Sequence, residues 1–131
     1  MTTILLAIDT DVERATAQIE SLLELPLVRE DTKVVLFHVF RGDDERANAR
    51  DLNSVREVLE RLEASGFDIG VEQASGDAVR KILDEAERLD ADVVSLGGRK
   101  RSPTGKALFG SVSQDVVLKS DRTVLLETVT D

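Results

Sequence analysis

The chain contains no cysteine, tryptophan or tyrosine, and it has only two prolines, one histidine and one methionine in 131 residues. Without cysteine there is no disulfide framework, no thiolate nucleophile and no thiolate metal site. With aromatics at 3%, the core of a chain that is 41% hydrophobic must be built from Val, Leu, Ile and Ala. No apolar run approaches the roughly 18 residues that a membrane-spanning helix requires. Met1-Thr2-Thr3-Ile4 enters a strand-like stretch at once, without the basic start and small-residue cleavage site of a secretory leader. The expectation is one cytoplasmic domain over residues 1–131, with no membrane partner.

Positive charge is also scarce. Seventeen Lys and Arg face 26 Asp and Glu, giving a net charge of −9, and Arg outnumbers Lys by 12 to 5. Such a field repels nucleic acid and anionic lipid, so neither is expected as a partner. An acidic surface poor in lysine suits a salt-rich cytoplasm, where counterions screen self-repulsion, and it suggests a haloarchaeal source.

What remains is a regular alternation. Thr3 to Ile8 is a short apolar run that reads as a strand buried on both faces. Asp9-Thr10-Asp11 ends it with side chains able to cap the next helix. Ala15, Ile19, Leu22 and Leu23 mark that helix from Val12 to Leu23, and Pro26 interrupts it. Thr32-Lys33 leads into a second buried strand, Val34 to Phe40, and Arg41 to Arg50 reads as a loop. Leu52, Val55, Val58, Leu59 and Leu62 define the next helix, with Gly66 as its C′ terminator.

Phe67, Ile69 and Val71 alternate with polar residues, as expected of an edge strand. Ser75-Gly76-Asp77 opens a helix carrying Val79, Ile82, Leu83, Ala86 and Leu89. Ala91 to Leu96 is a fourth strand ending at Gly97-Gly98. A helix from Ser111 to Lys119 should turn Val112, Val116 and Val117 inward, and Thr123 to Thr128 forms the last strand. Strands alternating with helices predict an α/β fold, with a five-stranded parallel sheet flanked by helices.

In such sheets ligands bind beyond the carboxyl ends of the strands, where strand order reverses. With the order 3-2-1-4-5, that point lies between the first and fourth strands. Asp9-Thr10-Asp11 and Gly97-Gly98-Arg99-Lys100 therefore converge on one crevice. Four of the 17 cations fall within positions 99–106, glycines bracket the segment, and Gly110-Ser111 opens the following helix. Glycine permits close backbone approach, and a helix start offers free N–H groups, so the segment suits an anion such as phosphate. A solvated basic turn balancing nearby acids is the plainer alternative.

Gly105-Lys106 does not complete a P-loop, because position 100 is lysine where glycine is required and position 107 is alanine where Ser or Thr is required. His38, the sole histidine, is expected to be a hydrogen-bonded strand residue rather than a catalytic base. Asp43, Asp44 and Glu45 read as a solvated loop rather than a metal cluster. No nucleophile–base pair is evident, so no catalytic residue is assigned, and any hydrolysis is expected to be slow.

The chain resembles the universal stress proteins of the UspA type. The resemblance is carried by Ile4-Leu5-Leu6-Ala7-Ile8-Asp9, by Val35-Leu36-Phe37-His38-Val39, by Gly97 to Ser113 and by the hydrophobic last strand. The nucleotide-binding branch of that family carries G-x2-G-x9-G-[ST]. Gly97 matches the first glycine and Gly110-Ser111 the closing pair, while Lys100 replaces the middle glycine.

The resemblance implies a Rossmann-like, adenine nucleotide alpha hydrolase-like fold that binds ATP or AMP, with magnesium arriving on the nucleotide. By it, Asp9 meets the ribose and the Val39 backbone meets adenine. Gly97, Lys100, Gly110, Ser111, Val112 and Ser113 surround the phosphates, and Ala7, Ile8, Leu96, Gly98 and Arg99 complete the candidate set at the strand ends. It also implies a homodimer formed through residues 123–128. The alternative is a dimeric stress or interaction module of the UspA branch that binds no nucleotide, an outcome to which Lys100 would lead if its side chain obstructs the triphosphate.

Overall fold

A computed structural model describes residues 1–42, 46–100 and 110–130. Five strands, β1 (Thr2–Ala7), β2 (Thr32–Phe40), β3 (Asp68–Ser75), β4 (Val93–Lys100) and β5 (Thr123–Thr130), form one sheet in the order β3-β2-β1-β4-β5. Every neighbouring pair is parallel. Among the described residues four α-helices connect them: α1 (Val12–Glu24), α2 (Asn53–Glu63), α3 (Ala78–Leu89) and α4 (Ser111–Lys119).

The alternation of side chains along the strands divides the core into two layers. Ile4, Leu6 and Ile8, with Val34 and Leu36, face α1 and α2 and meet Ile19, Leu22, Val55, Val58 and Leu62. Leu5, Ala7, Val35 and Phe37 face the other way and pack on Ile82 and Ala86 of α3 and Val116 of α4. Because β1 is covered on both sides it reads as an unbroken apolar run, whereas β3 lies at an edge and is only partly buried.

Two helices, α1 and α3, start on side-chain caps. Asp11, not Asp9, is the N-cap of α1, its Oδ1 accepting the Arg14 backbone N–H at 3.1 Å. Asp77 caps α3 in the same way through Arg80 N–H.

Several boundaries and one side-chain orientation differ from the sequence expectation. The β1 ladder ends at Ala7, although the Ile8 N–H still donates to the Phe37 carbonyl at 3.0 Å. Gly66, with φ of 92°, follows the α2 C-cap Ala64 by two residues and so stands one place beyond C′. β4 does not stop at Gly97-Gly98 but runs on to Lys100, because β5 continues to Thr130 and the two pair in register as far as Lys100 and Thr130. β5 likewise passes Thr128. In α4, Val116 is fully buried but Val117 points outward at 36% exposure, since only positions four apart, Val112 and Val116, share the inner face. The acidic trio Asp43 to Glu45 lies outside the described residues.

Candidate functional site

A cavity of about 490 Å³ opens at the carboxyl ends of β1, β2 and β4, at the position where strand order reverses. β1 contributes Ala7, followed by Ile8, Asp9 and Thr10. β2 contributes Phe37, His38, Val39 and Phe40, followed by Arg41. Leu96 and Gly97 of β4, Arg14 and Gln18 of α1, Ala78 and Ile82 of α3, and Val112 and Ser113 of α4 complete the wall. The floor is apolar and one rim is charged, a mixture suited to a ligand with an apolar ring and a polar tail.

The floor is held in place by buried polar groups. Gln18, 2% exposed, donates from Nε2 to the Ala7 carbonyl at 3.0 Å and to Ser95 Oγ at 3.3 Å, tying α1 across the ends of β1 and β4. Ser54 Oγ of α2 donates to the Asp9 carbonyl at 2.7 Å. His38 lies 2.9 Å through Nδ1 from the Ile8 carbonyl, and its ring stands edge-on to Phe40. A carbonyl only accepts, so Nδ1 carries the proton, and in the neutral ring Nε2 is an acceptor.

Gly97 is required for a steric reason. A Cβ placed there would come within 2.6 Å of Gln18 Oε1, 3.2 Å of its Cδ and 3.4 Å of Arg14 Cβ. The glycine therefore lets α1 lie directly against β4. Its carbonyl accepts a hydrogen bond from Ser113 Oγ at 2.7 Å, which docks the first turn of α4 on the strand end. Gly110, the residue before α4, has φ of 85°, a conformation that an L side chain rarely adopts.

Beside the cavity lies an ionic network. Asp9 Oδ1 accepts the Asp11 backbone N–H at 2.9 Å, and Asp9 Oδ2 pairs with Arg14 Nη2 at 2.7 Å. Arg14 Nε sits 3.4 Å from Asp11 Oδ2 but is buried without a hydrogen bond. Arg99 Nη2, reaching from β4, meets the same Asp11 oxygen at 3.0 Å and Glu13 at 3.7 Å. Burial raises the Asp11 pKa, but the Arg14 backbone N–H and the guanidinium groups of Arg99 and Arg14 outweigh it and hold the carboxyl below its usual range.

Of the thirteen candidate residues, eight line this cavity: Ala7, Ile8, Asp9, Val39, Leu96, Gly97, Val112 and Ser113. Gly98, Arg99, Gly110 and Ser111 lie outside its wall. The Gly98, Arg99 and Lys100 backbones are strand rather than loop. The rest of the basic segment, residues 101–109, is outside the described residues. Sequence reasoning did not single out Arg14 or Gln18. A signal was available, since each is a polar side chain on the helix face that must cross Gly97.

The universal stress protein family model matches residues 1–126. The chain belongs to the universal stress protein family. A universal stress protein of Mycolicibacterium smegmatis is 34% identical over 100 residues, covering 74% of this chain and 76% of that one. The structure of a universal stress protein from Archaeoglobus fulgidus is similar with a TM-score of 0.74 and 28% identity, covering 97% of this chain and 98% of that one. Two further solved universal stress proteins share the fold. One from Archaeoglobus fulgidus, in complex with dAMP, has a TM-score of 0.69 and 22% identity over 97% of this chain and 98% of that one. One from Arabidopsis thaliana, with AMP bound, has a TM-score of 0.73 and 18% identity over 98% of this chain and 92% of that one. The five-stranded parallel order is thus that of universal stress protein structures, the adenine nucleotide alpha hydrolase-like fold. Among the described residues no helix is long and apolar enough to cross a membrane.

Proposed function

We propose that this universal stress protein binds an adenine nucleotide, AMP or ATP, in the cavity between β1 and β4. The observation that carries the reading is the cavity itself: about 490 Å³, at the switch point, with a buried apolar floor and a polar rim that includes Asp9 and Ser113. Neighbours of the same fold bind dAMP and AMP, which supports the ligand class.

In this reading Ala7, Ile8 and Leu96 form the floor, the Val39 backbone reads the base, and the half-exposed Asp9 carboxylate accepts from the ribose. Gly97, Val112 and Ser113 stand beside the phosphates, with Gly110 and Ser111 supplying free N–H groups at the start of α4. Gly98, Arg99 and Lys100 follow at the end of β4. Magnesium would arrive on the nucleotide, since the described residues hold no cluster of three metal-binding side chains. Bound and free forms would then differ in what they present to a downstream protein partner.

Titration calorimetry with AMP and with ATP plus magnesium, in enough KCl to keep an acidic protein folded, tests this directly. Saturable one-site heat is expected for at least one of them. No heat with either at millimolar ligand would overturn the proposal.

A homodimer through β5 accompanies it. β5 ends the sheet, its Val124, Leu125 and Leu126 are only partly buried, and Leu118 of the adjoining α4 is 74% exposed. An apolar edge of this kind calls for a cover.

A further inference from the structure

We infer that Arg41 is a stacking platform for the base, so that the cavity grips a purine ring between its apolar wall and a free guanidinium. The inference rests on the nucleotide reading and adds to it a residue that acts on the base rather than on the ribose or the phosphates.

Arg41 follows β2 and lies in the cavity wall two residues beyond Val39, where that reading seats the base. The chain is fixed just before it. Phe40 pairs with Ser75 of β3, and the Phe40 carbonyl accepts the Gly76 N–H at 2.8 Å. Arg41 itself is exposed and, among the described residues, has neither a hydrogen bond nor an ion pair. Val39 packs in the same layer as Ile82, and Ala78 and Ile82 of α3 line the cavity with it. A flat ring entering there meets aliphatic carbon on its inner side, which leaves the outer side to Arg41.

Charge and distance decide what Arg41 can recognise. Arg14, the other guanidinium of the wall, faces Asp9 at 2.7 Å and Asp11 at 3.4 Å, so its charge is already answered. Arg41 keeps both its charge and its plane for a ligand. The phosphates of the nucleotide reading stand at Gly97 and Ser113, on the far side of β1. β2 and β4 are two strand spacings apart, about 10 Å, so the base is nearer to Arg41 than the phosphates are. A guanidinium is planar, delocalised and weakly hydrated, which suits it to the face of an aromatic ring. It supplies that face in a chain with no tryptophan or tyrosine. A stacked pair in close contact is also screened less by salt than a cation facing a phosphate through solvent.

The test is equilibrium titration of adenine, adenosine, AMP and ATP with magnesium against the full chain and against Arg41→Ala and Arg41→Lys, at low and at molar KCl. Arg41→Ala should weaken all four ligands by one common factor, roughly two- to fivefold for an exposed cation–ring contact, at either salt concentration. Arg41→Lys, which keeps the charge but not the plane, should restore only part of the loss. In the unaltered protein the Arg41 Cδ protons should move upfield when adenine or adenosine binds, because they then lie over the ring. That readout is independent of any variant's folding. A loss that is absent for adenosine and grows from AMP to ATP, or that vanishes in KCl, would show a phosphate contact and overturn the inference. So would unaltered affinity in Arg41→Ala, or a Cδ resonance that stays in place. Each of these outcomes leaves nucleotide binding standing. Failure of all four ligands to bind the unaltered protein would overturn both.

Discussion

Asp11 shows how much one side chain can carry. It caps α1 through Oδ1, pairs with Arg99 at 3.0 Å and with Arg14 at 3.4 Å through Oδ2, and so ties the start of α1 to the end of β4. Its carboxyl is held below the ordinary value of 3.8, against the upward pull of burial, by the Arg14 N–H and the two guanidinium groups. A folded-state pKa below the unfolded one gives stability that is present above the unfolded value and lost as pH falls through the folded one. Acid titrations should therefore show a component of stability disappearing below about pH 3.8, and Asp11→Asn, which keeps the cap but not the charge, should lack that component. Asp11→Ala loses both and should cost about 1–2 kcal/mol at neutral pH. Equal acid sensitivity in Asp11→Asn and the unaltered protein would contradict this account.

At the scale of elements, the two ends of the sheet differ in how they are finished. β3 places charged and polar residues at its edge, among them Asp68, Glu72 and Gln73, which discourages pairing with another chain. β5 offers Val124-Leu125-Leu126 instead, and beside it α4 leaves Val117 and Leu118 outside the core. That contrast argues for a second copy of the chain on the β5 side. Light scattering should give a mass near twice the 14.4 kDa of one chain. A monomer mass across micromolar concentrations would remove the dimer from the proposal.

The whole molecule is governed by its charge. Twenty-six acids against 17 bases leave −9 on a small surface, and ion pairs between two exposed side chains, such as Arg56 to Asp51, Arg80 to Asp84 and Arg88 to Glu72, contribute little individually. Self-repulsion therefore outweighs these surface pairs, and it is screened once the Debye length falls below about 10 Å, which happens above about 0.1 M salt. Melting temperature should rise with KCl from about 0.1 M into the molar range. A fall would show that surface ion pairs outweigh the repulsion, and would remove the case for a salt-adapted protein.

The amino-acid sequence by itself determined the layers. Short, nearly unbroken apolar runs, alternating with helices of period 3.6, admit little except a parallel sheet covered on both faces, and every strand and helix so expected is present. It also marked the switch point, because the apolar runs of the first and fourth strands give way to Asp9 and to Gly97. Only the tertiary structure decided which polar side chains share the cavity. Arg14 and Gln18 lie far from Gly97 in sequence, and they reach the site because that glycine has no Cβ to keep α1 away. The pairing of β4 with β5 likewise turned Arg99 and Lys100 from expected loop into strand. Periodicity reports burial along one element, whereas a binding wall is assembled from several, and the distances between them are set by packing.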